Sequence, residues 1–105
     1  MFTINNSFSE EKNIEDFGII SIMYHRFDEN KYPSTNIKIE DFRTHIELVK
    51  NSNFMFISHK EFESAINKNN LDNKILLTID DGFSSFYKNA WPILKKEKIP
   101  FIIFI

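Results

Sequence analysis

The fold of this chain is decided by the stretch KILLTIDDG, residues Lys74 to Gly82, in which an apolar run stops at two adjacent carboxylates and a glycine. The run is typical of a strand that is buried on both faces, as in parallel sheets covered by helices. Functional residues of such folds collect at the carboxyl ends of the strands. Two adjacent acids there need a cation, a proton or hydrogen-bond donors to offset their charge.

The pair Asp81-Gly82 is also a common turn dipeptide, so the stretch taken alone is equally consistent with a strand that opens a hairpin. The residues that follow favour a helix, because apolar residues recur at intervals of three and four, at Phe83, Tyr87, Ala90 or Trp91, and Leu94. A strand, an acidic turn and a helix form a βα unit. Pro92 falls inside that helix and is expected to kink or divide it.

The rest of the chain repeats the order of strand and helix, which favours an α/β fold with parallel strands. Residues 26–37 are predicted to form a loop. Ser58 and Glu61 fit a capping box at the start of a helix that would turn Ile66 inward. Strands are predicted at 19–25, 54–57 and 101–105, and helices at 40–51 and from Ser58 onward.

Length and composition limit the class of protein. A chain of 105 residues is at most one domain, predicted as an N-terminal arm (1–17) and a partial α/β domain (18–105). Because the chain stops inside its most apolar strand, we expect a domain truncated at its C-terminus, since such an edge is normally covered. The first residues lack the basic start and apolar stretch of a signal peptide. No apolar run is long enough to span a membrane.

Charge and cysteine content exclude several partners. The net charge is −2 with both signs mixed along the chain, which favours neither nucleic acid nor an anionic membrane as a partner. The sequence has no cysteine, so disulfides and thiolate metal sites are excluded. The sequence leaves the cellular location unknown.

The residues that could perform chemistry begin with Asp80 and Asp81, of which one could bind a metal while the other acts as a base. His25 ends the first predicted strand and should lie at the same edge of the sheet, where a structural and a functional role remain equally open. His45 and His59 are expected to be solvated or capping residues. The spacing His-x-x-His or His-x-x-x-His of many zinc sites is absent from the sequence.

Aromatic side chains follow the acidic turn, and a role in sugar stacking competes with a role in the core. Helical spacing favours the core for most of them. Two of them, Phe83 and Trp91, remain the candidates to test for sugar contact. The set consists of Phe83, Phe86, Tyr87 and Trp91.

Two segments resemble the polysaccharide deacetylase family (NodB-homology domain, carbohydrate esterase family four). LTIDDGF, residues 77–83, is similar to the family's first motif, usually Thr-Phe-Asp-Asp-Gly, although Ile79 replaces the phenylalanine. IMYHR, residues 22–26, is similar to the opening strand in the branch that includes poly-N-acetylglucosamine deacetylases. The resemblance runs from about Gly18 to Ile105. It implies the N-terminal half of a distorted (β/α) barrel, with about four parallel strands alternating with helices.

The resemblance also implies a function, namely metal-dependent removal of acetyl groups from an N-acetylated, in some members O-acetylated, polysaccharide. It assigns Asp80 as the general base and Asp81 as a ligand of a divalent metal, most often zinc. His25 and Phe83 are candidates for the substrate pocket or for support of the site. The family's histidine ligands come from a later His-x-x-x-His segment, so the missing C-terminal half of the domain is the implied partner. Relatives in this branch are often secreted or periplasmic.

Two alternatives to a deacetylase remain open from the sequence. The first is a non-catalytic remnant or carbohydrate-binding module of the same fold, in keeping with the missing histidine ligands. The second is a small α/β interaction module in which Asp80-Asp81-Gly82 is only a turn. The second alternative predicts that replacing both acids by asparagine leaves the stability of the protein unchanged.

Overall fold

Residues 18–105 are described in a computed structural model, in which strands and helices alternate along the chain. The predicted N-terminal arm, residues 1–17, lies outside the described residues. In chain order the elements are β1 (Ile20–Tyr24), β2 (Arg26–Phe27), β3 (Asn36–Ile37), α1 (Ile39–Lys50), β4 (Met55–Phe56), α2 (His59–Asn67), β5 (Lys74–Asp80), a π-helical turn (Phe86–Ala90), α3 (Trp91–Glu97) and β6 (Ile102–Phe104).

The strand that the sequence singled out, β5, is the centre of the main sheet. It pairs with β1 over almost its whole length, from Ile20 opposite Ile75 to Tyr24 opposite Ile79. It also pairs with β4 at its first two residues and with β6 at its last three. Every pairing is parallel, so the hairpin alternative is wrong and the βα interpretation is confirmed.

The side chains of β5 alternate between two faces, as the period of a strand requires. Leu77 and Ile79 belong to the hydrophobic core, together with residues of α1 and α3. Leu76, Thr78 and Asp80 line an open groove of about 610 Å³ on the other face. All five residues from Ile75 to Ile79 are buried, which confirms the prediction for the strand.

Aromatic rings fill the core between the sheet and α1. The Phe42 ring lies edge-on to Tyr24 and to Phe27, at centroid distances of 5.1 and 5.0 Å. The Tyr24 hydroxyl lies 2.6 Å from His45 Nδ1, so the buried phenol keeps a hydrogen-bond partner. Burial raises the pKa of Tyr24 to about 12. His45 is itself exposed, as predicted for a solvated residue, and its contact with Tyr24 links it to the core.

Pro92 divides the helix after the acidic turn, as predicted. A proline ring clashes with the carbonyl four residues earlier and cannot donate the corresponding hydrogen bond. The chain accommodates this with the π-helical turn, in which the Trp91 N–H donates to the Phe86 carbonyl. Helix α3 then begins at Trp91, and Pro92 falls in its first turn, where no intrahelical N–H is required.

Ser58 forms the predicted capping box with Glu61 at the start of α2. Three other local predictions were wrong. Residues 26–37 are not wholly a loop, because β2 and β3 pair in parallel as a separate two-stranded sheet. The prediction of a buried second strand was wrong for Met55 (55% exposed), because β4 is only two residues long and lies along one end of β5. Ile66 is 52% exposed and does not turn inward.

Within the described part of the chain, residues 18–105, no helix combines the length and apolar character needed to cross a membrane. This finding agrees with the absence of a long apolar run from the sequence.

Candidate functional site

The two acids lie where β5 ends and the chain turns. Asp80 is the last residue of β5, and its side chain is about a quarter exposed at one end of the groove. Asp81 (φ 73°) and Gly82 (φ 60°) both adopt the left-handed region, which aspartate tolerates and glycine adopts freely. The Asp81 N–H donates to the Phe104 carbonyl at 2.7 Å. This bond fixes the turn against β6, so both carboxylates are held at the carboxyl edge of the sheet.

His25 lies beside Asp80, because β1 and β5 run in parallel and Tyr24 is opposite Ile79. His25 Nε2 is 3.7 Å from Asp80 Oδ2, and both side chains are about a quarter exposed. The distance is too long for a hydrogen bond and short enough for an ion pair when the imidazole is protonated. The structure thus brings together the histidine and the first acid, as the predicted sheet required.

Arg26 follows His25 and bridges two aromatic rings. Its Cζ atom lies 3.7 Å from the ring centroid of Phe83 and 4.1 Å from that of Tyr32. Its Nη1 donates to Glu29 Oε1 at 3.0 Å. Its Nε is buried and has no partner among the described residues. Phe83, a candidate for the substrate pocket, is therefore half-buried against a guanidinium and not inside the aromatic core.

A polar network attaches the segment around Glu29 to the start of the helical region that follows Gly82. The buried Ser85 Oγ donates to Glu29 Oε2 at 2.6 Å and accepts from the Phe27 N–H at 3.0 Å. The Asn89 side-chain amide donates to the Phe27 carbonyl at 2.8 Å. The Ser85 hydrogen bond and, to a lesser degree, Arg26 lower the pKa of Glu29. The network holds two chain segments together just behind the acidic turn.

The remaining histidine and aromatic side chains contact residues other than the two acids. His59 lines the same groove as Asp80, but its nearest charged partner is Glu63, with Nε2 3.7 Å from Oε2. Trp91 is half-buried and packs edge-on to Phe101 at a centroid distance of 5.7 Å. Among the aromatic candidates, Phe86 is in the core as predicted, whereas Tyr87 is 69% exposed. A core role for Tyr87 was therefore wrong.

The side chains at this edge that could bind a metal ion are those of Asp80 and Asp81. The carboxylate oxygens of Asp80 and Asp81 are suitable ligands for zinc, which normally takes three or four protein ligands. Over residues 18–105, however, no three histidine, cysteine, aspartate or glutamate side chains are grouped closely enough to hold a metal ion. The described residues thus include two candidate ligands but no group of three that could hold a metal ion.

Sequence analysis missed Tyr32, Glu29 and Ser85, and it did not assign a site role to Arg26. Glu29 and Ser85 are 56 positions apart, so no local spacing could have paired them. The available signal was the position of Arg26 directly after His25, at the end of a strand that pairs with β5.

Comparison with known proteins shows what the chain is similar to. The Bacillus subtilis protein YxkH, classed as a polysaccharide deacetylase, is 24% identical over 86 residues, which cover 80% of this chain and 30% of YxkH. The structure of IcaB from Ammonifex degensii matches with a TM-score of 0.74 and 29% identity, over 83% of this chain and 37% of IcaB. The Streptococcus pyogenes deacetylase PplD, solved with acetate, matches with a TM-score of 0.70 and 27% identity, over 83% and 42%. No family model matches the chain.

The parallel sheet, with two acids at the end of its central strand, defines an α/β domain of the (β/α) barrel type. The similarities in sequence and structure are to polysaccharide deacetylases, which supports the resemblance to that family seen in the sequence. The chain spans 30% to 42% of the length of these relatives. Together with the order of strands and helices, this coverage fits the N-terminal half of such a barrel.

Proposed function

We propose that this chain is part of a metal-dependent deacetylase that hydrolyses N-acetyl, or alternatively O-acetyl, groups on a polysaccharide. The observation that carries the proposal is the placement of Asp80 and Asp81 at the carboxyl end of the central strand, with His25 Nε2 3.7 Å from Asp80. The relatives support the class of substrate, since YxkH is classed as a polysaccharide deacetylase. PplD supports the reaction, because acetate, the acid that deacetylation releases, is bound to it.

In the proposed reaction Asp80 is the general base. Its carboxylate takes a proton from a water molecule as that water attacks the carbonyl carbon of the acetyl group. His25 Nε2 lies 3.7 Å from Asp80 Oδ2 and can form an ion pair with this carboxylate when the imidazole is protonated. A divalent cation bound by Asp81, most often zinc in this family, would lower the pKa of the water and polarise the carbonyl.

The 105-residue chain is catalytically incomplete in this proposal. Asp81 would supply one ligand, and the remaining ligands would come from the C-terminal half of the barrel, in line with the partial coverage of the relatives. The described residues support this view, because no group of three metal ligands lies within residues 18–105. The isolated chain should therefore bind zinc weakly and release no acetate.

Titration of the purified chain with Zn²⁺, followed by calorimetry, tests the assignment of Asp81. We expect one site per chain, with an affinity that falls at least about tenfold in Asp81→Ala because a direct ligand is lost. Asp72→Ala is the matched control, since Asp72 is an exposed acid in the turn before β5. Absence of zinc binding, or equal losses in the two variants, would contradict the role of Asp81.

A second candidate function is a carbohydrate-binding module without catalysis, which the incomplete set of metal ligands favours. In that case the chain would bind an N-acetylated oligosaccharide equally well with and without zinc, and Asp81→Ala would bind it like the original chain. The same titrations, repeated with the oligosaccharide, distinguish this candidate from the deacetylase.

A further inference from the structure

Tyr32 combines high exposure with an unusual backbone conformation. Tyr32 is 55% exposed to solvent. Its backbone φ of 60° lies in the left-handed region, which is rare for a bulky residue. Pro33 follows it, and residues before proline favour extended conformations. The Thr35 N–H holds the conformation by donating to the Tyr32 carbonyl at 3.0 Å. Strained residues of this kind cluster at ligand sites.

The ring of Tyr32 is fixed from behind by Arg26. The guanidinium Cζ is 4.1 Å from the Tyr32 centroid and 3.7 Å from the Phe83 centroid, and Glu29 holds its Nη1 at 3.0 Å. Such contacts restrict the ring before any ligand binds, which reduces the entropy lost on binding. Tyr32 is therefore a rigid aromatic surface that remains largely open to solvent.

This surface adjoins the candidate site. Arg26 follows His25, which contacts Asp80, and Phe83 is two residues beyond Asp81. A cavity of about 140 Å³ beside His25 is lined by Ser34 and Thr35, from the segment that follows Tyr32. An exposed aromatic ring and a cavity with hydroxyl groups on the same chain segment suit a sugar, whose C–H face is apolar and whose edge is polar.

We propose that Tyr32 is a stacking subsite for a pyranose ring of the glycan, next to the sugar unit whose acetyl group is presented to Asp80. The proposal rests on the proposed function for its class of ligand, a polymer of N-acetylated hexosamines. Tyr32 would set the register of the chain along the site by contact with the sugar ring, and its hydroxyl group would not be required.

Binding of an N-acetylglucosamine hexamer to the 105-residue chain, followed by NMR, tests the subsite. We expect Tyr32→Leu to raise Kd about fivefold or more, within the range for loss of one aromatic contact, while Tyr32→Phe stays within about twofold. Tyr87→Leu is the matched control, since Tyr87 is 69% exposed on the π-helical turn, and it should bind like the original chain. Circular dichroism of each variant checks that the fold is retained.

Three results would overturn the subsite. These are unchanged binding by Tyr32→Leu, an equal loss in Tyr87→Leu, and no binding of the hexamer by the original chain at millimolar concentration. A loss in Tyr32→Phe equal to that in Tyr32→Leu would overturn stacking in favour of a hydrogen bond from the hydroxyl. Sugar binding through Tyr32 without zinc binding would contradict the metal-dependent deacetylase alone, whereas zinc binding without sugar binding would contradict the subsite alone.

Discussion

The two faces of β5 have different surroundings, although their residues alternate along one strand. On the core face, Leu77 and Ile79 are 1% and 0% exposed and pack among the aromatic rings beneath α1. On the groove face, Leu76, Thr78 and Asp80 line an open groove of about 610 Å³. The core face anchors the strand, and the groove face carries its side chains toward the candidate site.

This difference explains how a small domain can hold two acids at a partly exposed edge. A strand that is fixed by packing on one face and by three parallel neighbours has little freedom at its end. The acids therefore need no burial of their own to be positioned. Substitutions on the core face should change stability, and substitutions at the end of the groove face should change activity.

The largest expected effect is on activity, for Asp80→Asn. It can be measured in a chimera in which residues 18–105 replace the matched segment of PplD, with acetate release as the readout. Loss of the proposed general base should lower acetate release by about a hundredfold to ten-thousandfold, with no loss of stability. Asp72→Asn is the control and should retain full activity. Equal activity of the two variants would contradict the proposed difference between the faces, because Asp80 would then have no part in the reaction.

Leu77→Ala and Leu76→Ala test the difference directly, since the two leucines are adjacent and point to opposite faces. Leu77→Ala should lower the free energy of unfolding by about 3 kcal/mol, because it leaves a cavity in a close-packed core. Leu76→Ala should cost about half as much, because the open groove lets its surroundings relax. Urea unfolding of both variants gives the two values. Equal losses would show that the groove face is packed as tightly as the core face.

Much of this arrangement was predictable from the sequence, because it depends on local patterns. The apolar run into Asp80 predicted the buried parallel strand, and Ser58 with Glu61 predicted the start of α2. Pairing of the first strand with β5 then places His25 beside Asp80. Hydrophobic period, capping residues and strand direction are all visible within a few neighbouring residues.

The remainder could not be predicted, because it depends on contacts between distant segments or on which side of a helix meets the sheet. Helical spacing counted from Phe83 predicted an inward Tyr87, but the buried positions include Phe86, Ala90 and Leu94, and Tyr87 is exposed. Arg26 meets Phe83 only after the sheet has formed, 57 positions apart in sequence. No spacing rule anticipates such a contact.

A smaller effect is expected for Ser85→Ala, which leaves both faces of β5 unchanged and acts behind the acidic turn. Ser85 is buried, and its loss leaves the Phe27 N–H without its acceptor and Glu29 Oε2 without its donor. The variant should lower the free energy of unfolding by about 1–2 kcal/mol, measured by urea unfolding. Ser84→Ala, at the exposed neighbouring position, is the control and should be close to neutral. A neutral Ser85→Ala would show that the core face alone holds this edge.

The smallest expected effect is a dependence of stability on pH that originates at Glu29. The Ser85 hydrogen bond and Arg26 hold the pKa of this carboxyl below its ordinary value of 4.5. A lowered pKa in the folded state contributes stability that is present above pH 4.5 and is lost as the pH falls through the folded value. NMR titration should show the pKa of Glu29 rising toward 4.5 in Ser85→Ala, because its largest stabilising contact is removed. An unchanged pKa would assign the shift to Arg26 and limit the role of Ser85 to the Phe27 N–H.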